Sequence, residues 1–239
     1  MRHLLALETS TEACSVALWS DGRLFDRHEL APRRHAELVL AWAQALLEDA
    51  GIARSDLDAI AVGRGPGGFT GVRLGVSVAQ GLAFALDRPV FPVSTLRALA
   101  AQAPEHGSGE GGSVLAAIDA RMGEVYLGMY TLDADGLPQS LGDEWMGDPS
   151  SIDCPGGETL CGVGTGFKAA DGVLTHRLGA RLVSTQPEAL PRARDVVRLA
   201  LADAARSAGQ RWDCVEPAYL RNKVAETMAE RAKRGAGTS

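Results

Sequence analysis

Apolar and polar positions along the first hundred residues switch between two periods. Leu4 to Leu7 is a short apolar run that ends on Glu8. In the next segment Cys14, Val16 and Leu18 take one face and Ala13, Ser15, Ala17 and Trp19 the other, the period of two expected of a strand. Asp21-Gly22 is a hairpin turn signal, and Arg23 to Leu30 predicts the returning strand. From Pro32 to Ala50 the spacing lengthens to four, with Leu38, Trp42 and Leu46 in line and Gly51 as a stop, which predicts an amphipathic helix. Leu57 to Val62 predicts a buried strand, and Thr70 to Leu86 a helix of apolar and small residues. Pro89 to Val93 predicts a short strand, after which the Ser94 hydroxyl caps a helix over Thr95 to Ala103.

A small, polar segment, residues 106–113, then interrupts the pattern and predicts a linker. Beyond it, strands are expected over Val114 to Ile118, Glu124 to Thr131 and Leu160 to Val163, and a helix over Asp195 to Ala208. The economical architecture is α/β: two lobes of mixed sheets flanked by helices, over residues 1–105 and 114–225, with a charged tail at 226–239. The order strand–strand–strand–helix–strand–helix is hairpin-led, unlike the βαβ start of a dinucleotide fold.

Bulk properties narrow the classes. An apolar fraction of 46% and a charged fraction of 23% belong to an ordinary globular chain. The net charge of −6 disfavours a protein that grips a phosphate backbone alone. The start is too short in apolar residues for a signal peptide, and no uninterrupted apolar run is long enough to span a bilayer, so a cytoplasmic location away from membranes is expected. Cys14, Cys154, Cys161 and Cys214 form no C-x-x-C pair and read as reduced structural residues.

The most informative stretch joins the predicted strand ending at Val62 to the helix opening at Thr70. It reads Gly63-Arg64-Gly65-Pro66-Gly67-Gly68-Phe69-Thr70-Gly71-Val72-Arg73-Leu74-Gly75. Glycines between a strand and a helix leave backbone N–H groups ready for an anion or for another chain. Gly63, Gly65 and Gly68 satisfy G-x-G-x-x-G, but Asp87, twenty-odd residues on, precedes a strand instead of ending one, and Pro66 removes a donor. NAD binding is therefore not expected. Within the helix Gly71, Gly75 and Ala79 share one face. Interior glycines cost up to ~1 kcal/mol each relative to alanine and need a packing reason, either inside the chain or against another subunit. Glu8-Thr9-Ser10-Thr11 reads as a polar hairpin turn or as the phosphate-approaching hairpin of actin-like folds. No catalytic constellation and no metal-binding pair is found among the five histidines, there is no G-x-S-x-G elbow, and Asp119-Ala120-Arg121 reads as an ion pair fixing a turn.

Five segments together resemble one family. They are 5–18, 65–75, 92–96, Ile118-Asp119-Ala120-Arg121-Met122-Gly123-Glu124-Val125-Tyr126, and Glu216-Pro217-Ala218-Tyr219-Leu220-Arg221. In order and spacing they are similar to the bacterial TsaB (YeaZ) family of tRNA threonylcarbamoyladenosine biosynthesis. The resemblance implies a two-lobed actin-like ATPase, or ribonuclease H-like, fold. It implies a non-catalytic subunit paired with the catalytic, metal-bearing paralogue TsaD, working with the ATPase TsaE and meeting tRNA only through the complex. It implies a partner surface on the helices after His35 and Phe69, through His35, Leu38, Trp42, Phe69, Gly71, Val72, Leu74, Gly75, Val78 and Ala79, which could also serve a homodimer. No intrinsic cofactor follows, with ATP or ADP conceivable at the subunit junction. The acid ending the first strand, usually Asp in that family, is Glu8 here, and its extra methylene would displace a metal-bridging carboxylate.

The rival reading is a magnesium-dependent ATPase or small-molecule kinase of the same fold. It would place a nucleotide against Glu8, Thr9, Ser10, Gly65, Gly67, Gly68, Thr70 and Arg73. A peptidase is a third reading, which stoichiometric zinc or iron would revive.

Overall fold

The computed structural model describes residues 1–104, 113–153 and 159–220. The expected linker at 106–113 therefore falls almost wholly outside the described residues, as do Cys154 and the charged tail. The first sheet holds β1 (His3–Glu8), β2 (Ala13–Ser20), β3 (Arg23–Leu30), β4 (Ala59–Gly63) and β5 (Val90–Val93) in the order β3-β2-β1-β4-β5. β1, β2 and β3 are antiparallel neighbours, whereas β4 and β5 run parallel to β1. The turn between β2 and β3 places Asp21 (φ 47°) and Gly22 (φ 86°) in the left-handed region, as the Asp-Gly signal requires.

The second sheet is built from β6 (Ser113–Arg121), β7 (Glu124–Leu132), β8 (Pro138–Ser140), β9 (Trp145–Gly147), β10 (Leu160–Val163) and β11 (Leu182–Gln186). Its order is β11-β10-β6-β7-β8, with β9 also paired to β7. Read from the far edge this is an antiparallel β8-β7-β6 meander followed by two parallel strands, the topology of the first sheet repeated. Two such sheets flanked by helices are the actin-like, ribonuclease H-like architecture.

Among the described residues five α-helices flank the sheets: α1 (His35–Ala50), α2 (Phe69–Leu86), α3 (Thr95–Ala100), α4 (Val173–Leu178) and α5 (Ala193–Ala204). α1 begins three residues later than its periodicity suggests, because Arg33 adopts a positive φ of 68° that helix geometry excludes. Gly51 (φ 70°) ends it in the left-handed conformation, and the Ser94 side chain accepts from the Arg97 N–H to cap α3. α1 and α2 cover one face of the first sheet over a core of Leu5, Leu7, Val39, Leu46, Ile60, Val62 and Val76.

The opposite face is covered by α5. Ala193, Val196, Val197, Leu199 and Ala200 pack with Leu4, Ala6, Ala61 and Val93, so this helix returns to the first sheet instead of remaining with the second, where its position in the chain had placed it. α3 makes the reverse journey. It follows β5 in sequence, yet Leu96, Leu99 and Ala100 join Val114, Ala116, Ile118 and Tyr130 of the second sheet. The two helices thus exchange lobes. Where they cross, Arg97 makes a bidentate pair with Asp203, at 2.7 and 3.2 Å.

Candidate functional site

The β1–β2 hairpin and the glycine turn after β4 meet face to face. The Glu8 carboxylate is buried and accepts from the Ser10 N–H (2.6 Å) and from the Thr95 hydroxyl (3.1 Å). Burial pushes its pKa up, against the lowering effect of the hydrogen bonds from Ser10 and Thr95. The carboxylate lies directly against Gly63, where an added Cβ would come within 1.8 Å of Oε2. The longer acid therefore reaches into space that only glycine leaves. Thr95 Oγ1 accepts the Gly65 N–H (3.1 Å) and stands 2.9 Å from Ser10 Oγ. The Gly68 N–H donates to the Ser10 carbonyl at 2.7 Å, and the Thr9 hydroxyl donates to the Gly71 carbonyl at 2.7 Å.

These bonds decide what the glycines do. A Cβ at Gly67 would lie 2.3 Å from the Ser10 carbonyl oxygen, at Gly71 2.1 Å from that of Thr9, and at Gly75 2.6 Å from Thr9 Oγ1. The glycine row is the seat of the chain's own hairpin. The expectation that Gly71, Gly75, Val72 and Ala79 offer a surface to another helix is accordingly corrected: Val72, Gly75 and Ala79 are buried, and Gly71 is closed by Thr9. Inside the chain Gly71 and Gly75 meet the hairpin and Val62, while Ala79 shares a core cluster with Val39 and Ala43 of α1. The phosphate-cradle reading meets the same obstacle. The N–H groups of Ser10, Gly65 and Gly68 are spent inside the fold, and Pro66 has none.

Beside this junction a cleft of about 1020 Å³ opens between the lobes. Its walls include Ser10, His35, Phe69, Arg73, Ile118, Tyr126, Lys168 and Tyr219. His35 turns inward, its Nε2–H lying 2.9 and 3.1 Å from the carbonyls of Thr11 and Ala13. The Arg73 guanidinium stacks between the rings of Phe69 and Tyr219, 3.2 and 4.9 Å from their centroids. Arg121 pairs with Asp119 at 3.1 Å, as expected of a turn-fixing ion pair, and Lys168 pairs with Glu188. Among the described residues no cluster of three or more His, Cys, Asp or Glu side chains could hold a metal ion.

The outward side of the helical layer is a different surface. α2 is long and apolar enough, by length and composition alone, to cross a membrane, which the interrupted sequence run does not suggest. Only 28% of it is buried, and that side packs on the sheet. Its exposed side carries Thr70, Ser77, Gly81, Phe84 and Ala85, with Leu74 and Val78 half-buried beside them. On α1, Leu40 is exposed, while Leu38 and Trp42 are half-buried against the core. Sequence periodicity missed Gly81: an added Cβ there meets nothing within 4 Å, so no contact inside the chain calls for glycine. The signal was present as a second row of small residues, Ser77, Gly81 and Ala85, parallel to Gly71, Gly75 and Ala79.

Comparison with known proteins is consistent over nearly the whole chain. The family described as "TsaD: tRNA N6-adenosine threonylcarbamoyltransferase" matches residues 28–229. The tRNA threonylcarbamoyladenosine biosynthesis protein TsaB of Escherichia coli (strain K12) is 40% identical over 231 residues, covering 93% of this chain and 96% of that protein. TsaB of Haemophilus influenzae is 38% identical, covering 92% and 94%. The solved structure of YeaZ from Pseudomonas aeruginosa superposes with a TM-score of 0.83 at 45% identity, over 92% of this chain and 100% of that one. With its lobes, its closed glycine turn and these relatives taken together, the chain belongs to the TsaB (YeaZ) family.

Proposed function

We propose that this protein is a non-catalytic subunit in the biosynthesis of threonylcarbamoyladenosine in tRNA, and that it acts by docking onto a TsaD-type transferase. The observation that carries the reading is the outward face of α2. It is an apolar helix face in which an exposed glycine, Gly81, has no packing role inside the chain. A glycine in a helix interior costs up to ~1 kcal/mol against alanine, and a helix approaching closely from outside supplies the compensating contact. Leu74, Val78 and Leu40 border that face and would be buried by the same approach. The docking surface is thus the Thr70–Leu74–Ser77–Gly81–Ala85 side of α2 with the adjoining side of α1.

The names of the relatives supply the pathway, and the closed phosphate turn supports a role without nucleotide turnover at that position. TsaE-type ATPase and tRNA are reached through the assembled complex in this reading. The test is reconstituted threonylcarbamoylation of tRNA by a TsaD-type transferase and a TsaE-type ATPase, with and without this chain. Product that requires the chain is expected. Equal product in its absence would remove the role.

A further inference from the structure

After α5 the chain does not end on the first lobe. Val215 is buried in the core beneath α1 and α2, and its carbonyl accepts from the Gln80 side chain at 3.1 Å. From there residues 216–220 run across the glycine turn, where the Ala218 N–H donates to the Arg64 carbonyl at 2.8 Å. Gly65, at a φ of 96°, faces this crossing, and an added Cβ would meet the Ala218 carbonyl at 3.5 Å. Tyr219 then covers the guanidinium of Arg73 on α2. Leu220 packs against the second-lobe cluster that contains Ile118 and Tyr126. This six-residue stretch is therefore anchored in both cores, and Pro217, Ala218, Tyr219 and Leu220 wall the cleft between them.

We propose that residues 215–220 form an interlobe strap: a fastening across the cleft that holds the two lobes at one angle and ties that angle to helix α2. The α3–α5 crossing joins the lobes by the exchanged helices, and a joint of that kind leaves rotation about itself. A second attachment at the cleft removes that freedom. The attachments differ in kind. Val215 and the Ala218 hydrogen bond fix the strap to the first lobe, whereas among the described residues Leu220 is its apolar anchor in the second. Releasing Leu220 alone should free the lobes while leaving each core intact.

The test uses the full chain with spin labels at Ala36→Cys in the first lobe and Thr185→Cys in the second, both exposed positions, and with Cys154 and Cys214 replaced by serine. The interlobe distance distribution is compared between the strapped protein and its Leu220→Asp variant, with far-UV circular dichroism as the folding control. Should Leu220→Asp fail to fold, Leu220→Ala takes its place, and Tyr219→Ala, at a 59% exposed position, loosens the strap without touching a core. A single narrow distance that broadens and lengthens on losing Leu220 is expected. A distribution unchanged in the folded Leu220 variant would overturn the strap.

Discussion

Gly71 and Gly81 lie on one helix, ten residues apart, and have opposite reasons to be glycine. A Cβ added at Gly71 would lie 2.1 Å from the Thr9 carbonyl oxygen, far inside contact distance, while Gly81 faces open space. Gly71→Ala must displace the backbone of the hairpin, and overpacking of this sort costs roughly 1–3 kcal/mol or more. Gly81→Ala removes a helix-interior glycine without a clash, so the isolated chain should gain up to ~1 kcal/mol. Urea unfolding of the two variants checks both signs. A destabilised Gly81→Ala protein would show that a contact within the chain had been missed. The same arithmetic reassigns Gly75: an arginine there would strike Thr9 and test folding, not docking.

At the scale of elements, α5 carries a buried charge into its contact with the first sheet. Asp195 is 4% exposed, its Oδ2 has no partner, and burial raises its pKa to about 6 against the pull of Arg194, Arg198 and Arg192. The folded form thus binds the proton more tightly than the unfolded one. The contribution is lost as pH rises from the unfolded value of 3.8 through about 6, and amounts to at most about 3 kcal/mol. His28, whose pKa burial lowers, has the opposite slope, so the comparison of wild type with Asp195→Asn isolates the effect. Stability should fall less between pH 4 and 7 in Asp195→Asn, measured by urea titration at each pH. Parallel curves for the two proteins would contradict this.

The elements also show which features sequence alone could yield. The β2–β3 turn, the Ser94 cap and the Gly51 stop were legible because each depends on a local φ or a local donor. β8, β9 and β11 escaped, being short strands of three to five residues without full burial on either face. The two rows of small residues on α2 are equivalent by periodicity. Only the hairpin at Thr9 and Ser10, some sixty residues earlier in the chain, decides which row is inside. The path of α5 was hidden for a related reason: its apolar face fits any sheet, and its partner is set by the crossing with α3.

In the whole molecule, two surfaces that look alike in the sequence face different ways. The glycine turn and the hairpin close on each other beside the cleft, and the outward side of α1 and α2 stays exposed. Docking of a TsaD-type transferase on this outward side is tested by calorimetric titration of that transferase with the Gly81→Arg variant. Docking here predicts that binding is abolished while circular dichroism matches wild type and the melting transition is no lower, since the position meets nothing within 4 Å and loses a helix-interior glycine. Unaltered affinity in a folded Gly81→Arg protein would contradict it.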